Sequence, residues 1–413
     1  MTALEGNAIT LSEFETAAAV LRGVVVRTPL EASEYLSDLL GQPVYLKFEN
    51  LQRTGSFKIR GAAYRLSRLT AGERSSGVVA ASAGNHAQGV ALAAQKLGIP
   101  ATIFMPLGVP VPKLLATRGY GAEVVLEGET VETPLRLAAE FAERTGAVFI
   151  HPFDHRDVIV GQGTLGLEIY DDLPEVETVI VGIGGGGLIA GVAAAMRARA
   201  ERDGRTVRII GVQAENSAAY PSSLAAGEPL QVATTPTIAD GIAVARPGDL
   251  PFAIISDLVD EVVTVSDNDI ARGLLVLLER SKQVVEPAGA VGVAAILAGK
   301  ITVSGPTAVI LSGGNIDPLL LQRIVAHGLA VSGRYMTLQI PLPDRPGQLA
   351  RVSELLAIAG ANVIEVLHTR YGQGLQISEV ILQLSVETRG KEHRAHVISV
   401  LEDAGFTPRV VED

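Results

Sequence analysis

The sequence contains no cysteine and no tryptophan among its 413 residues, and lysine is scarce, with seven lysines against 27 arginines. Without cysteine the chain can form no disulfide framework, no iron–sulfur cluster and no thiolate-bound zinc site. Acidic residues outnumber basic ones, and the formal net charge of −11 argues against nucleic acid or an anionic membrane as the main partner. The N-terminal residues have no basic segment before their apolar positions, so we expect no signal peptide and a cytoplasmic protein.

One uncharged run, Val179–Met196, spans 18 residues and reaches the lower length limit of a transmembrane helix. Six of its residues are glycine, and Gly184–Gly187 are consecutive. Because glycine is costly inside a helix, the run is better explained as a buried strand, a glycine turn and a helix. We therefore expect no membrane span.

Up to about residue 330 the chain repeats one unit: a short β-branched run, a turn that contains glycine, and an alanine-rich amphipathic stretch. Strands that alternate with helices in this way are typical of βαβ crossovers, which require a mainly parallel sheet covered on both faces. The predicted strands are Gly77–Ala81, Ala101–Met105, Thr178–Gly182, Val207–Gln213, Glu261–Val265 and Ala308–Leu311. The predicted helices are Asn85–Leu97, Pro112–Tyr120, Leu188–Ala200 and Asp267–Ser281.

After Gly333 the pattern changes to a β-α-β-β-α-β order, which is typical of a ferredoxin-like fold. Its predicted elements are Tyr335–Leu342, Gln348–Ala359, Asn362–Thr369, Ile377–Val386, His393–Ala404 and Pro408–Val411. We therefore predict two domains, residues 1–331 and 332–413, with a boundary near Ser332.

Lys58 lies where small residues give way to a helical pattern, in the sequence TGSFKIRGA. A lysine at a helix start, near the positive end of the helix dipole, is expected to have a lowered pKa. Such an amine can act as a nucleophile or form a Schiff base. A solvated surface lysine is the alternative explanation of this position.

Two turns that link a strand to a helix are candidate anion sites. Ser82–Gly89 (SAGNHAQG) offers backbone N–H groups that suit a carboxylate or phosphate, although Ser82 can also be a plain helix cap. The backbone N–H groups of Gly184–Gly187 suit a phosphate. Since the turn matches neither the dinucleotide fingerprint nor the P-loop, the phosphate of a small cofactor fits best. Close packing alone is the alternative reason for these glycines.

Ser312 follows the strand Ala308–Leu311, at the carboxyl edge where open α/β sheets bind ligands. Its hydroxyl can hydrogen-bond a heterocyclic nitrogen but cannot act as a counter-ion, so that nitrogen would stay largely unprotonated. These four features together predict a pyridoxal 5'-phosphate site. They are an amine for an imine, a polar loop for a carboxylate, a glycine turn for a phosphate and a hydroxyl for a ring nitrogen.

The motifs SFKIRGA, SAGNHAQG, GGGGL and SGGN, in this order, resemble those of the threonine ammonia-lyases, which are fold-type-II pyridoxal-phosphate enzymes. The resemblance covers residues from about 10 to 330 and implies two open, mainly parallel α/β subdomains, the smaller one, about residues 50–150, inserted in the larger. The cofactor contacts that it implies are a Schiff base at Lys58 beside Phe57, Asn85 at the 3-hydroxyl, Gly184, Gly185, Gly186, Gly187 and Leu188 around the phosphate, and Ser312 at the pyridine nitrogen. The substrate carboxylate would be held by Ser82, Ala83, Asn85 and His86.

The C-terminal segment resembles an ACT domain, a regulatory amino-acid-binding module, because DRPGQL matches its first turn. This resemblance implies an amino-acid effector near Asp344, Gly347 and Leu349, and a homo-oligomer, tetramer or dimer. Family members that bind a divalent cation have acidic residues where this chain has Gln213 and Ala219. We therefore expect no metal, although Glu215 is close.

The resemblance implies deaminating dehydration of L-threonine to 2-oxobutanoate and ammonia, with L-serine as a side substrate, as an allosterically regulated first step of isoleucine biosynthesis. A catabolic threonine or serine dehydratase and a serine racemase are the enzyme alternatives. The room for the threonine methyl group is expected to depend on Phe57 and Thr237–Ala243. An amino-acid sensor on a degenerate fold is the non-enzyme alternative, and the intact Lys58 counts against it.

The substitution Ala83→Ser is expected to increase the racemisation of serine. Serine racemases that resemble this chain have a serine at this position, which acts as acid and base on the opposite face of the substrate. Chiral analysis of serine incubated with each protein measures the effect. Equal racemisation by both proteins would show that the Ser82–His86 loop is wrongly aligned.

Overall fold

The computed structural model describes residues 9–130, 132–331, 333–370 and 378–411. The chain divides into two compact units, residues 1–320 and 321–413. Ser332, near which we predict the domain boundary, lies outside the described residues. So does Ile377, the predicted first residue of a C-terminal strand.

In the first unit the described residues form a regular alternation of strands and helices. The strands are β1 (Leu30–Ala32), β2 (Val44–Lys47), β3 (Val78–Ala81), β4 (Ala101–Met105), β5 (Glu123–Leu126), β6 (Val148–Phe149), β7 (Thr178–Gly182), β8 (Arg208–Ala214), β9 (Glu261–Val265) and β10 (Thr307–Ile310). The helices are α1 (Leu11–Leu21), α2 (Glu34–Leu40), α3 (Lys58–Ser67), α4 (Ala71–Ser76), α5 (Asn85–Leu97), α6 (Val111–Gly119), α7 (Glu132–Thr145), α8 (Arg156–Asp172), α9 (Gly187–Arg202), α10 (Ala219–Ala226), α11 (Asp249–Leu258), α12 (Asp267–Val276) and α13 (Pro287–Leu297).

Helix α14 (Pro318–Val331) follows, and the remaining elements belong to the second unit. These are β11 (Tyr335–Pro343), α15 (Gln348–Ile358), β12 (Asn362–Thr369), β13 (Glu379–Glu387), α16 (Lys391–Asp403) and β14 (Arg409–Val411). The predicted elements agree with these bounds to within two residues, with one exception. The predicted helix Asp267–Ser281 ends as an α-helix at Val276 and continues as a π-helical turn over Leu277–Ser281.

Two sheets form the first unit within the described residues. The larger has the order β1-β2-β10-β7-β8-β9, and the smaller has the order β5-β4-β3-β6. All neighbouring strands are parallel except β1, which pairs with β2 in the antiparallel sense at the sheet edge. The predicted fold class, with two mainly parallel α/β sheets, is confirmed.

The central strands of the larger sheet are buried on both faces. Thr178–Val181 of β7 and all of β10 are buried, as expected when helices cover both sides of a parallel sheet. The apolar run Val179–Met196 is divided between β7, the glycine turn and α9, as the sequence predicts. No helix among the described residues is long and apolar enough to cross a membrane.

The second unit is a four-stranded antiparallel sheet with the order β12-β13-β11-β14, as far as the described residues show. Side chains of β11 and β13 alternate between buried and partly exposed, which is typical of a sheet packed on one face only. Val352 of α15 and Val397 of α16 belong to the same buried cluster as those strands. The predicted ferredoxin-like arrangement is confirmed.

A buried network of ion pairs ties α3 to the rest of the first unit. The Arg60 side chain is fully buried, and its Nε lies 2.8 Å from Glu49 Oε2 while its Nη1 lies 2.7 Å from Glu168 Oε1. Lys47 Nζ lies 3.0 Å from the other Glu168 oxygen. Burial alone would raise the pKa of Glu49, but the Arg60 guanidinium holds that pKa below its usual value.

The substitution Arg60→Met is expected to lower the free energy of unfolding by about 3–5 kcal/mol, because it leaves the Glu49 carboxylate buried without its cation. Denaturant unfolding followed by circular dichroism measures this. Arg136→Met is the control, since Arg136 pairs with Glu140 on the solvent-exposed face of α7. Its expected effect is under about 1 kcal/mol, and similar losses in both variants would contradict the prediction.

Candidate active site

The SFK and SGGN motifs meet at the carboxyl end of β10. Phe57 N donates a hydrogen bond to Ser312 O at 3.1 Å, and Ser56 forms an antiparallel bridge with Gly313. Helix α3 then begins at Lys58. The predicted Schiff-base lysine and the predicted partner of the ring nitrogen are therefore held side by side by main-chain bonds.

The Lys58 side chain is partly buried. Its Nζ donates a hydrogen bond to Pro152 O at 3.0 Å and lies 5.2 Å from the centre of the Phe57 ring. Burial lowers the pKa of Lys58 to about 8, while the negative charge of Glu286 opposes the shift. The predicted direction of the shift is confirmed, but its main cause is desolvation rather than the helix dipole.

Asn85 connects the SAGN loop to the same place. Helix α5 begins at Asn85, whose Nδ2 donates to Glu286 Oε1 at 2.7 Å. Its Oδ1 accepts a hydrogen bond from Asn315 Nδ2 at 2.9 Å. The same Asn315 nitrogen lies 2.6 Å from Thr54 O. A third motif is thus joined to the first two by side-chain hydrogen bonds.

Ser82, Ala83 and Asn85 are partly exposed and available to a ligand. Ser82 Oγ accepts a hydrogen bond from Gly84 N at 3.1 Å. Because the N-cap position directly before helix α5 is Gly84, Ser82 is not the N-cap of that helix. His86 differs, because its ring is buried and its Nε2 lies 2.8 Å from Ile150 O. Burial lowers the pKa of His86 to about 3, so the ring is neutral. A contact of His86 with substrate would therefore use its backbone N–H.

The glycine turn lies between β7 and α9. A Cβ atom on Gly185 would overlap the Phe153 ring, and one on Gly187 would lie 2.9 Å from Phe153 Cα. Gly186 has φ +99°, which favours glycine. Phe153 follows Pro152, the acceptor of the Lys58 bond, so the fourth motif also lies close to the lysine.

Thr237–Ala243 lies between this turn and Glu286. The Cβ position of Gly184 is 3.1 Å from Ile242 Cα, and that of Gly241 is 3.6 Å from Glu286 Oε1. The predicted determinant of substrate size thus lies beside the cluster.

Glu286 is a site residue that the sequence analysis missed. It is 4% exposed, and burial raises its pKa to about 7. A Cβ atom on Gly313 would overlap Glu286 Oε1, so a larger residue there would displace the carboxylate. The available signal was a lone acidic residue in the otherwise uncharged sequence VEPAGAVGVAAIL.

The cluster fits pyridoxal phosphate on chemical grounds. Lys58 supplies an amine of lowered pKa, and the Ser312 hydroxyl is almost buried, at 5% exposed, at the strand end. The first N–H groups of α9 have no intrahelical acceptor, and with Gly186 and Gly187 they can hold a phosphate. Leu188, also in this first turn, is buried.

Comparison with known proteins identifies the family. Residues 21–313 match the pyridoxal-phosphate dependent enzyme family. The chain belongs to this family. Pyridoxal phosphate is accordingly its cofactor, and the predicted enzyme class is confirmed.

Individual relatives support the predicted resemblance to threonine ammonia-lyases. The L-threonine ammonia-lyase of Thermotoga maritima is 48% identical over 404 residues, which are 98% of this chain and 100% of that protein. The catabolic L-threonine dehydratase TdcB of Escherichia coli K12 is 48% identical over 300 residues, 72% of this chain and 90% of that protein. The structure of maize serine racemase has a TM-score of 0.73 and 36% identity, and the match covers 78% of this chain and 99% of that one.

Gln213 and Ala219, the positions for which the resemblance implies acidic residues in cation-binding relatives, are buried here. Gln213 is fully buried, its Oε1 accepts from Tyr220 N at 2.9 Å, and its Nε2 lies 3.4 Å from Ile183 O. Ala219 is buried as well. In the described part of the chain, no group of three or more His, Asp or Glu residues is placed to hold a metal ion.

Of the three candidate effector residues, Asp344 and Gly347 lie in the turn between β11 and α15, and Leu349 lies in the first turn of α15. Asp344 Oδ2 is 3.4 Å from Arg370 Nε, and Gly347 has φ +91° directly before the helix. Leu349 is 40% exposed, so its side chain can contact a ligand.

Proposed function

We propose that the chain is an L-threonine ammonia-lyase that converts L-threonine to 2-oxobutanoate and ammonia, with L-serine as a side substrate. One observation carries the proposal: hydrogen bonds join the SFK, SGGN and SAGN motifs beside Lys58, and the glycine turn packs against Phe153, next to the Pro152 carbonyl that accepts the Lys58 bond. The names of the Thermotoga maritima and Escherichia coli relatives support the same substrate.

Each site residue has a role in this reaction. Pyridoxal phosphate, when bound, supplies the carbon that condenses with amines and a ring that accepts negative charge from Cα. Lys58 would hold the cofactor through its amine, and the free amine would accept the Cα proton. A pKa of about 8 makes this amine a better base at neutral pH than an ordinary lysine. Asn85 would contact the 3-hydroxyl, and Ser312 the ring nitrogen.

The backbone of the Ser82–His86 loop would bind the substrate carboxylate, and Gly184–Leu188 the cofactor phosphate. Loss of the Cα proton and of the β-hydroxyl as water leaves an enamine. Its tautomer is hydrolysed to 2-oxobutanoate and ammonia. Ala83 supports elimination over racemisation, because its methyl group can neither give nor take a proton on the opposite face of the substrate.

Lys58→Ala is expected to abolish both threonine turnover and the absorbance band of the attached cofactor, because one amine performs both tasks. Formation of 2-oxobutanoate and the visible spectrum measure the two effects. Lys96→Ala is the matched control, since Lys96 is exposed on α5, and it should leave both unchanged. Substantial turnover by Lys58→Ala would contradict the assignment.

We also propose that the second unit binds an amino-acid effector and makes the enzyme a regulated first step of isoleucine biosynthesis. The Thermotoga maritima relative extends over both units, whereas the catabolic Escherichia coli relative matches only 72% of the chain. A homo-oligomer, tetramer or dimer, and a cytoplasmic location belong to the same proposal.

A chain that ends at Val331 is expected to keep threonine turnover and to lose the response to isoleucine or valine. A coupling of about 1–3 kcal/mol between sites would change the apparent affinity for threonine several-fold or more in the full chain. In the full chain, Gly347→Leu should reduce the same response, because leucine is strained at φ +91°. Activity curves with each effector test this, and a shortened enzyme that still responds would place the effector site in the first unit.

A further inference from the structure

One directed series of hydrogen bonds connects Thr54, Asn315, Asn85 and Glu286. Asn315 Nδ2 donates to Thr54 O at 2.6 Å and to Asn85 Oδ1 at 2.9 Å. Asn85 Nδ2 in turn donates to Glu286 Oε1 at 2.7 Å. Both protons of the Asn315 amide are thus used, and one proton of the Asn85 amide is left.

The two neighbours of Asn85 in this series, Asn315 and Glu286, determine which way its amide faces. If that amide were rotated by half a turn, its oxygen would face the Glu286 carboxylate and its nitrogen would face the Asn315 nitrogen. Both contacts would be repulsive, because acceptor would meet acceptor and donor would meet donor. The bond to the carboxylate is charge-assisted and therefore the stronger of the two constraints on Asn85.

We propose that Glu286 is a positioning residue that fixes the direction of the Asn85 amide and so keeps its remaining Nδ2 proton available to the 3-hydroxyl oxygen of the cofactor. This inference rests on the cofactor contact proposed above for Asn85. A donor at that oxygen favours its anionic form. Glu286 therefore acts on the cofactor through Asn85 and does not need to touch it.

The local packing supports a dedicated position for this carboxylate. Glu286 N donates to Gly313 O at 2.9 Å, and a Cβ atom on Gly313 would overlap Glu286 Oε1. The absence of a side chain at residue 313 therefore leaves room for the carboxylate at its position against Asn85. The same backbone bond holds Glu286 next to Ser312, the proposed partner of the ring nitrogen.

Protonation of Glu286 would remove the charge that orients Asn85. Burial and the nearby charge of Asp240 together raise its pKa to about 7, against the opposing effects of Lys113, the Asn85 hydrogen bond and Lys58. The carboxylate is anionic above this pKa and neutral below it. We therefore expect the absorbance of the bound cofactor to change as the pH falls through about 7.

The test is a pH titration of the cofactor absorbance in four holoenzymes: the wild type, Glu286→Gln, Asn85→Ala and the double variant. Glu286→Gln should lose the transition near pH 7 and bind pyridoxal phosphate roughly tenfold more weakly. The double variant should bind no more weakly than Asn85→Ala, because Glu286 acts through Asn85. A transition that persists in Glu286→Gln, or losses that add in the double variant, would overturn the proposal.

Asp240→Asn is the matched control. It removes an acidic charge that faces Glu286 without removing the bond to Asn85, so the transition should remain and move to lower pH. If Glu286→Gln fails to fold, this shift still decides the question, and an unmoved midpoint refutes the proposal. These readings need only bound cofactor, so a chain that binds pyridoxal phosphate but does not consume threonine would refute the proposed function alone.

Discussion

The buried Arg60 guanidinium is the interaction on which the geometry of the site depends. It lies in the first turn of α3, two residues after Lys58, and binds Glu49 and Glu168 at once. Glu49 lies two residues after β2, a strand of the larger sheet, and Glu168 lies on α8. A fully buried cation with two anionic partners has one favourable position, because any displacement leaves an unpaired charge in the interior. The start of α3, and with it Lys58, is therefore fixed relative to both elements.

Burial also tunes the chemistry of the two ionisable groups that meet near this helix start. Desolvation lowers the pKa of Lys58 to about 8 and raises that of Glu286 to about 7, so both pKa values lie close to neutral pH. Each shift is limited by the charge of the other group, since a cation and an anion favour each other's ionised form. The amine proposed to take up a proton and the carboxylate proposed to orient a neighbour thus influence each other's ionisation.

The features that could be predicted from the sequence are those encoded locally. A glycine turn, a serine at a strand end or a lysine at a helix start can be read from neighbouring residues. The alternation of strands and helices predicted a mainly parallel sheet, and the family resemblance implied its division between two subdomains. The lone charge of Glu286 in an uncharged segment was a local signal, but its partner could not be found this way, because Asn85 is 201 positions away in the chain. The burial of the His86 ring could not be predicted for the same reason, because its hydrogen-bond acceptor, Ile150 O, is distant in sequence. The antiparallel β1 is too short for its direction to show in the hydrophobic pattern.

Close packing and phosphate binding, which the sequence analysis treated as alternatives for Gly184–Gly187, are compatible in the structure. The direction in which a Cβ atom would extend is occupied by Phe153 at Gly185 and Gly187 and by Tyr220 at Gly186. Tyr220 also donates its hydroxyl to Gly185 O at 3.1 Å, which takes up a carbonyl of the turn. The protein therefore packs against the side-chain directions of the turn, while the N–H groups at the start of α9 remain the donors that a phosphate needs. Because Phe153 adjoins Pro152, whose carbonyl accepts the Lys58 bond, this packing also links the glycine turn to the lysine.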